Sequence, residues 1–263
     1  AKKAKWRRTR TGGFAALPAE IRVFEGDVLL LTRGEQAGSP SRRNTAGRLL
    51  ALPHVACEQP EVFDFLEPGH TVWIDDGRIG ALVESVDDTA AWLRITRARQ
   101  NGERIVAQQG LNFPDTRIAP LALSDKDIAD LEFAVRHADI VGCSFVRQAE
   151  DIDRLTGTLA RLKGGHLGII AKIETREAVR NLPDIIVHGA GRHSFGVMIA
   201  RGDLGVEIGY ERLAEIQEEI LWLAEAARVP VIWATQVLEN LVKQDRPSRA
   251  EITDAAMAER AEC

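Results

Sequence analysis

The N-terminal part of the chain, from about residue 12 to residue 115, alternates apolar and polar positions in short segments, a pattern typical of β-strands. Residues 20–32 predict two strands around a glycine turn. The pattern continues at residues 71–74, in the segment that runs from the next turn to residue 83, and at residues 92–95. Short strands separated by glycine and aspartate turns predict a small closed β-barrel.

After about residue 117 the spacing changes. Four nearly unbroken apolar runs, at residues 140–146, 167–173, 195–200 and 229–234, are each followed by a segment with helical periodicity. This order predicts an α/β fold with a parallel sheet that is covered on both faces. Because a complete (β/α)8 barrel needs eight strands, periodicity alone leaves two alternatives: a partial barrel and an open doubly wound sheet.

Two helix starts are marked by capping boxes. Ser124 is followed three residues later by Asp127, and Ser248 is followed three residues later by Glu251. In this arrangement the serine accepts a hydrogen bond from the third helical N–H, and the acid bonds back to the serine N–H. We therefore expect helices to begin directly after both serines.

Polar residues follow the parallel strands at the point where each strand ends. Lys172 and Glu174 are two positions apart, so on a strand they point to the same face. Asp203 comes just after the next apolar run, and Thr235 comes just after the one that follows. Because the carboxyl ends of parallel strands are where β/α folds place their active sites, this recurrence predicts an enzyme.

Glu174 and Asp203 are candidate metal ligands. Two carboxylates from neighbouring strands offer the hard oxygen atoms that Mg²⁺ or Mn²⁺ prefers, with waters and substrate oxygens completing the octahedron. Lys172 beside them would stabilise developing negative charge, which makes it a candidate catalytic residue. The alternative is an internal ion pair, although two charges on an apolar strand are costly without further partners.

Four further positions are candidates for substrate binding. Gly202 lets its backbone N–H approach a ligand closely, although the Gly-Asp pair is also common in ordinary turns. The hydroxyl of Thr235 is placed either to bind a carboxylate, as a second catalytic candidate, or simply to pack or cap the next helix. Ser144 lies near the end of the first apolar run and Arg147 directly follows that run; both are added on their position alone.

Composition narrows the class of protein. The chain of 263 residues is 45% apolar and 28% charged, which is typical of soluble globular proteins, and its net charge of -5 argues against general nucleic-acid binding. We see no apolar run of the roughly 18 residues that a membrane span needs and no signal-peptide pattern. The three cysteines lack the spacing of a zinc site or disulfide framework, so we expect the protein to lie in the reducing cytoplasm.

The first residue is not Met, and we expect the chain to be a segment of a longer protein.

Taken together, several segments resemble the motifs of the pyruvate kinase family. They are IIAKIETREAV, MIARGDLGVEI, PVIWATQVLENL and RPSRAEITDAA, preceded in the same order by VWIDDGRIG, GLNFPDTRIAPLALSDKDIADL and GCSFVR. The resemblance covers most of the chain from about residue 70 and is most specific between Ala119 and Ala256. It implies a partial (β/α)8 TIM-type barrel with an inserted small β-barrel domain. Residues 1–11 would end an early barrel strand, residues 12–116 would form the inserted B domain, and residues 117–263 would supply about four βα units.

The resemblance also implies a role for each site residue. Glu174 and Asp203 would bind the catalytic Mg²⁺ or Mn²⁺. Lys172 would face the transferring phosphoryl group and the enolate oxygen. Gly202 and Thr235, with Asp203 beside them, would hold the carboxylate end of phosphoenolpyruvate or pyruvate.

Two roles come from the resemblance alone. Arg10 would match the phosphate-binding arginine, and Asp76 would match the nucleotide-side acid of the B domain. The chain also departs from the family. Gln109-Gly110 stands where Lys-Gly is usual, which removes a positive charge, and Lys3 stands where an acid near the monovalent-cation site is expected.

The function that follows is phosphoryl transfer from phosphoenolpyruvate to ADP, giving pyruvate and ATP as in glycolysis. The expected ions are Mg²⁺ or Mn²⁺, with K⁺ as a second ion. The expected partners are these substrates and, in the full-length protein, further copies of the same chain, with no nucleic acid and no membrane. Two alternatives remain open: a metal-dependent lyase or aldolase that acts on pyruvate or another 2-keto acid, and a catalytically inactive relative.

Overall fold

The computed structural model describes residues 20–34, 36–116 and 123–263. Arg10, Lys3 and the strand expected over residues 1–11 lie outside these ranges. Among the described helices, none is long and apolar enough to cross a membrane.

The N-terminal part is built of short strands, as its alternating pattern predicts. Its elements are β1 (Ile21–Val23), β2 (Val28–Arg33), β3 (Arg42–Arg43), β4 (Leu49–Ala51), β5 (His54–Cys57), a 3₁₀-helix (Pro60–Asp64), β6 (Thr71–Ile74), β7 (Ile79–Val86), β8 (Ala90–Arg97), β9 (Glu103–Ile105) and β10 (Leu111–Asn112). Six of them form one sheet in the order β10-β6-β7-β8-β2-β5, while β1 pairs with β9 and β3 with β4.

The six-stranded sheet buries one face in its own hydrophobic core. Alternate residues of each strand, such as Leu29 and Leu31 in β2 or Val72 and Ile74 in β6, are almost fully buried there. All neighbouring pairs are antiparallel except β2 with β5. Within the described residues, β5 and β10 do not pair with each other, so the closed β-barrel stays a prediction.

The C-terminal part alternates strands and helices. Its elements are α1 (Asp125–His137), β11 (Ile140–Cys143), α2 (Ala149–Arg161), β12 (Gly168–Ile173), α3 (Arg176–Arg180), α4 (Leu182–Ala190), β13 (Phe195–Ala200), α5 (Arg201–Ile208), a 3₁₀-helix (Tyr210–Arg212), α6 (Leu213–Ala227), β14 (Val231–Ala234), α7 (Glu239–Gln244) and α8 (Arg249–Arg260).

The four C-terminal strands are parallel and lie in sequential order, β11-β12-β13-β14. An open doubly wound sheet reverses its strand order at a switch point, whereas a β/α barrel adds each strand beside the previous one. The sequential order therefore favours the partial barrel over the open sheet. Both predicted capping boxes are present, with Ser124 starting α1 and Ser248 starting α8.

One strand end differs from the sequence predictions. The strand expected over residues 140–146 ends at Cys143, because Phe145 takes a left-handed backbone conformation (φ 53°) that cannot continue a strand. The sheet was expected to be covered on both faces, and among the described residues the inner strand β13 is almost wholly buried. The edge strands β11 and β14 keep exposed side chains, among them Ile140 and Ile232.

Candidate active site

The centre of the site is the end of β12, where Lys172 and Glu174 leave the strand on the same side. The Lys172 ammonium nitrogen Nζ lies 2.6 Å from Oε1 of Glu174 and donates a hydrogen bond of 2.8 Å to the hydroxyl of Ser144. Glu174 is 1% exposed, whereas Lys172 is 27% exposed. The structure therefore brings together three of the predicted residues, and the lysine charge still reaches solvent.

The second oxygen of Glu174 is held by the backbone. The N–H of Phe145 donates to Oε2 of Glu174 at 2.5 Å. Phe145 has a left-handed backbone conformation, which an L-residue adopts only at a cost of order 1–3 kcal/mol. The internal ion pair considered from the sequence is thus present, and it comes with the further partners that a buried carboxylate needs.

The end of β14 has similar strained geometry. Thr235 and Gln236 directly follow the strand with φ values of 67° and 45°. This turn lets the N–H of Gly202 donate to the hydroxyl of Thr235 at 3.2 Å, so these two predicted substrate-binding residues are neighbours. Non-glycine residues in this region of backbone conformation are uncommon and often mark functional sites.

Asp203 lies in the first turn of α5, where the helix dipole stabilises negative charge. The amide nitrogen Nδ2 of Asn112, from the last strand of the N-terminal sheet, donates to Oδ1 of Asp203 at 3.0 Å. The stretch that the sequence left open as an ordinary turn is therefore the start of a helix, and it receives a contact from the other sheet.

Asp76, in the turn after β6, also lies close to α5. The hydroxyl of Tyr210 donates to the backbone oxygen of Asp76 at 3.1 Å. A Cβ atom on Gly202 would lie 3.9 Å from the carboxyl carbon of Asp76. Burial raises the pKa of Asp76 above its usual value, and the nearby charge of Asp203 adds to the increase. The charges of the two aspartates therefore interact where α5 meets the N-terminal sheet.

Two residues near the site are not among those predicted from the sequence. Glu207, at the end of α5, is 8% exposed; burial raises its pKa, while Arg176 and Arg147 act in the opposite direction. Arg201 joins the end of β14 to α8, since its guanidinium bonds to the backbone oxygens of Ala234 and Thr235 and to Asp254. Both belong to the IARGDLGVE segment, so their nearness to Asp203 in sequence was the available signal.

The donor atoms fit a divalent cation. The described residues contain no cluster of three or more His, Cys, Asp or Glu side chains suited to a metal. Mg²⁺, however, is commonly held by only one or two carboxylates, with waters and substrate oxygens supplying the rest. Beside Asp203, the buried oxygen Oδ1 of Asn112 has no hydrogen-bond partner, so the site retains a polar atom that needs one.

A parallel β/α half-barrel with a lysine, carboxylates and hydroxyls at the carboxyl ends of its strands defines the class of β/α-barrel enzymes. Comparison with known families specifies the class further. The family model described as pyruvate kinase, barrel domain, matches residues 3–260. The chain therefore belongs to the pyruvate kinase family.

Individual relatives agree with this assignment. The chain is 39% identical to a pyruvate kinase of Hypocrea jecorina over 97% of its own length and 44% of the relative's. It is 37% identical to pyruvate kinase 2 of Synechocystis, over 95% of the chain and 39% of the relative. It is 32% identical to human pyruvate kinase PKLR, over 95% of the chain and 40% of the relative. The chain thus spans less than half the length of these relatives. None of the three relatives is named as a lyase or an aldolase.

Proposed function

We propose that the protein carrying this chain transfers a phosphoryl group from phosphoenolpyruvate to ADP, giving pyruvate and ATP. Membership of the pyruvate kinase family supports the reaction class. The observation that carries the proposal is the position of Lys172, whose ammonium lies between Glu174 and Ser144 where two parallel strands end. A positive charge held there faces the open side of the site.

This geometry supports the following proposed roles. Glu174 and Asp203 hold Mg²⁺ or Mn²⁺, which supplies neutralisation of the phosphate and enolate charges. Lys172 faces the phosphoryl group as its bond to the enol oxygen breaks and a bond to an oxygen of ADP forms. The same ammonium stabilises the enolate that is left, which takes up a proton on carbon to become pyruvate.

The carboxylate end of the substrate is assigned to Gly202 and Thr235. The N–H of Gly202 already donates to the Thr235 hydroxyl, so both groups point into one small region. A carboxylate that enters this region would accept from the hydroxyl and from the N–H, with Ser144 on the Lys172 side. Holding the substrate in one orientation supplies much of the rate, because phosphoryl transfer depends on positioning.

The nucleotide side is assigned to Asp76 and to Arg10, which lies outside the described residues. Gln109 does not replace the charge of the usual lysine. Its side-chain oxygen accepts a hydrogen bond of 3.0 Å from the N–H of Val106, so it is engaged within its own loop. We expect weaker nucleotide binding than a lysine would give, and we retain K⁺ as a second ion.

The domain organisation is also proposed. Residues 1–11 end an early barrel strand, residues 12–116 form an inserted β-barrel domain, and residues 117–263 form about four βα units. Two separate hydrophobic clusters support the division, one within residues 21–113 and one within residues 131–233. We also propose a cytoplasmic location, in keeping with three free cysteines, and a homo-oligomer for the full-length protein.

One assay separates this proposal from its alternatives. The full-length protein with Mg²⁺ is given phosphoenolpyruvate and ADP, and ATP formation is followed; the same preparation is given 2-keto acids, and aldol cleavage is followed. The proposal expects ATP formation alone. Cleavage without ATP formation would favour the lyase or aldolase, and failure of both reactions, together with failure to bind Mn²⁺, would favour an inactive relative.

A further inference from the structure

We propose that Asn112 is a positioning residue that fixes the carboxylate of Asp203 for the divalent cation, so that the N-terminal sheet sets the metal affinity of the barrel. The inference rests on the proposed function only in taking Asp203 as a metal ligand. Asn112 lies 91 positions before Asp203 in the chain, and its Nδ2 donates to Oδ1 of Asp203 at 3.0 Å.

The orientation of the Asn112 amide follows from chemistry. An ionised carboxylate only accepts hydrogen bonds, so the amide nitrogen must face Asp203 and the amide oxygen must face away. That oxygen is buried, since Asn112 is 3% exposed, and it has no partner among the described residues. A buried amide oxygen without a donor costs about 1–3 kcal/mol.

The cost of leaving this oxygen unpaired indicates which kind of partner the site binds. The missing partner must be a hydrogen-bond donor or a cation, because an amide oxygen can accept a hydrogen bond or bind a hard cation. The carboxylate and phosphate oxygens of the substrates are acceptors and are therefore excluded. An ordered water of the cation site is a donor of the right kind. Asn112 would then hold Asp203 with its nitrogen and such a water with its oxygen, leaving Oδ2 of Asp203 for the cation.

Pairing within the N-terminal sheet holds Asn112 in position for its contact with Asp203. Asn112 ends β10 and lies directly opposite Trp73 of β6. Two residues after β6, the backbone of Asp76 accepts the hydrogen bond from Tyr210, just beyond α5. Helix α5 and the 3₁₀-helix directly after it therefore contact the N-terminal sheet at two places, Asp203 with β10 and Tyr210 with the turn after β6.

The test is Mn²⁺ binding by electron paramagnetic resonance, in the full-length protein and without substrates. Removing a residue that orients a metal ligand typically weakens affinity 10–100-fold, so we expect Asn112→Ala to raise the Mn²⁺ dissociation constant by roughly 10-fold or more. Asn112→Ser keeps a short donor and should fall between wild type and Asn112→Ala. Asn101→Ala, which truncates an exposed asparagine of the same sheet region, should bind as wild type does.

Three results would separate the explanations. If folded Asn112→Ala and Asn112→Ser both bind Mn²⁺ within twofold of wild type, the positioning role is wrong, and a lower melting temperature alone would mean a structural role. If Asn112→Ala does not fold, Asn112→Ser decides by the same criterion. If Mn²⁺ binding depends on Asn112 while the wild type makes no ATP, the positioning role stands and the proposed function fails.

Discussion

Lys172 and Glu174 form an ion pair within one strand end, with 2.6 Å between Nζ and Oε1, and the backbone of Phe145 holds the other carboxylate oxygen. Neither partner is left to move freely, because the carboxylate has two fixed donors and the ammonium also bonds to Ser144. The pair therefore fixes a positive charge at the open side of the site before any substrate binds. This preorganisation is what electrostatic stabilisation of a transition state requires.

Replacing the charge of Lys172 tests that role. We expect Lys172→Met, in the full-length protein, to lower kcat at least 100-fold and to change KM for phosphoenolpyruvate much less. The reason is that, in the proposed reaction, its charge is needed most as the enolate and phosphoryl charges develop. Steady-state kinetics measure both constants. Lys126→Met is a matched control, because Lys126 pairs with Asp130 on the exposed side of α1.

A Lys172→Met variant with unchanged kcat and a raised KM would give a different answer. It would assign Lys172 to binding of the ground state rather than to the chemical step.

The two carboxylates can be tested by removing their charge. We expect Glu174→Gln and Asp203→Asn each to weaken Mn²⁺ binding by at least 10-fold while the protein still folds, because each would remove one hard oxygen ligand of the proposed metal site. Binding titrations and circular dichroism measure the two effects. Glu218→Gln changes an exposed acid of α6 and should leave binding unchanged. Unchanged binding in both site variants would place the metal elsewhere.

A third prediction concerns pH. Burial, with the charges of Asp151 and Glu174 adding to it, raises the pKa of the Cys143 thiol from 9.0 to about 11. The unfolded chain therefore loses this proton at lower pH than the folded protein. The stability that the neutral thiol contributes is fully present below pH 9 and is lost as the pH rises to about 11. The free energy of unfolding should fall by up to about 3 kcal/mol from this group, at about 1.4 kcal/mol per pKa unit.

The Cys143→Ala variant isolates that contribution. Denaturant unfolding of both proteins at intervals between pH 8 and pH 11.5 should show a smaller loss of stability in the variant. Parallel curves for the two proteins would mean that the thiol is less buried than the structure indicates.

The sequence predicted the parallel strands and the grouping of Lys172 with Glu174 because both depend on local periodicity. A strand places residues i and i+2 on one face wherever it lies in the fold. The capping boxes at Ser124 and Ser248 were equally readable, since every atom involved lies within four residues. These features therefore follow from the pattern alone.

The contacts that complete the site do not follow from local pattern. Asn112 reaches Asp203 only because β10 pairs with β6 and the turn after β6 meets α5, and none of these pairings leaves a periodic signal. The left-handed conformation of Phe145 was also unreadable, because a phenylalanine gives no hint of it. Tertiary contacts fix that conformation, and it in turn ends β11 early.

The open edges of the half-barrel lead to a prediction about residues 1–263 produced by themselves. Among the described residues, β11 and β14 each pair on one side, which leaves backbone N–H and C=O groups unpaired. We expect this polypeptide to be marginally stable, to associate, and to show little or no kinase activity. Analytical ultracentrifugation, thermal melting and the ATP assay measure these properties. A monomer with a cooperative melt and turnover of about 1–100 s⁻¹ would contradict the prediction.

The central claim is that the polar groups at the ends of β11, β12, β13 and β14 form one site for both a metal and phosphoenolpyruvate. The most direct measurement is Mn²⁺ binding to the full-length protein with and without saturating phosphoenolpyruvate. Because substrate oxygens would complete the metal's coordination, we predict that phosphoenolpyruvate tightens Mn²⁺ binding at least roughly 5-fold, and that Mn²⁺ tightens phosphoenolpyruvate binding by the same factor. Mn²⁺ affinity that is the same with and without phosphoenolpyruvate would mean that the two ligands do not share a site, and would contradict the account.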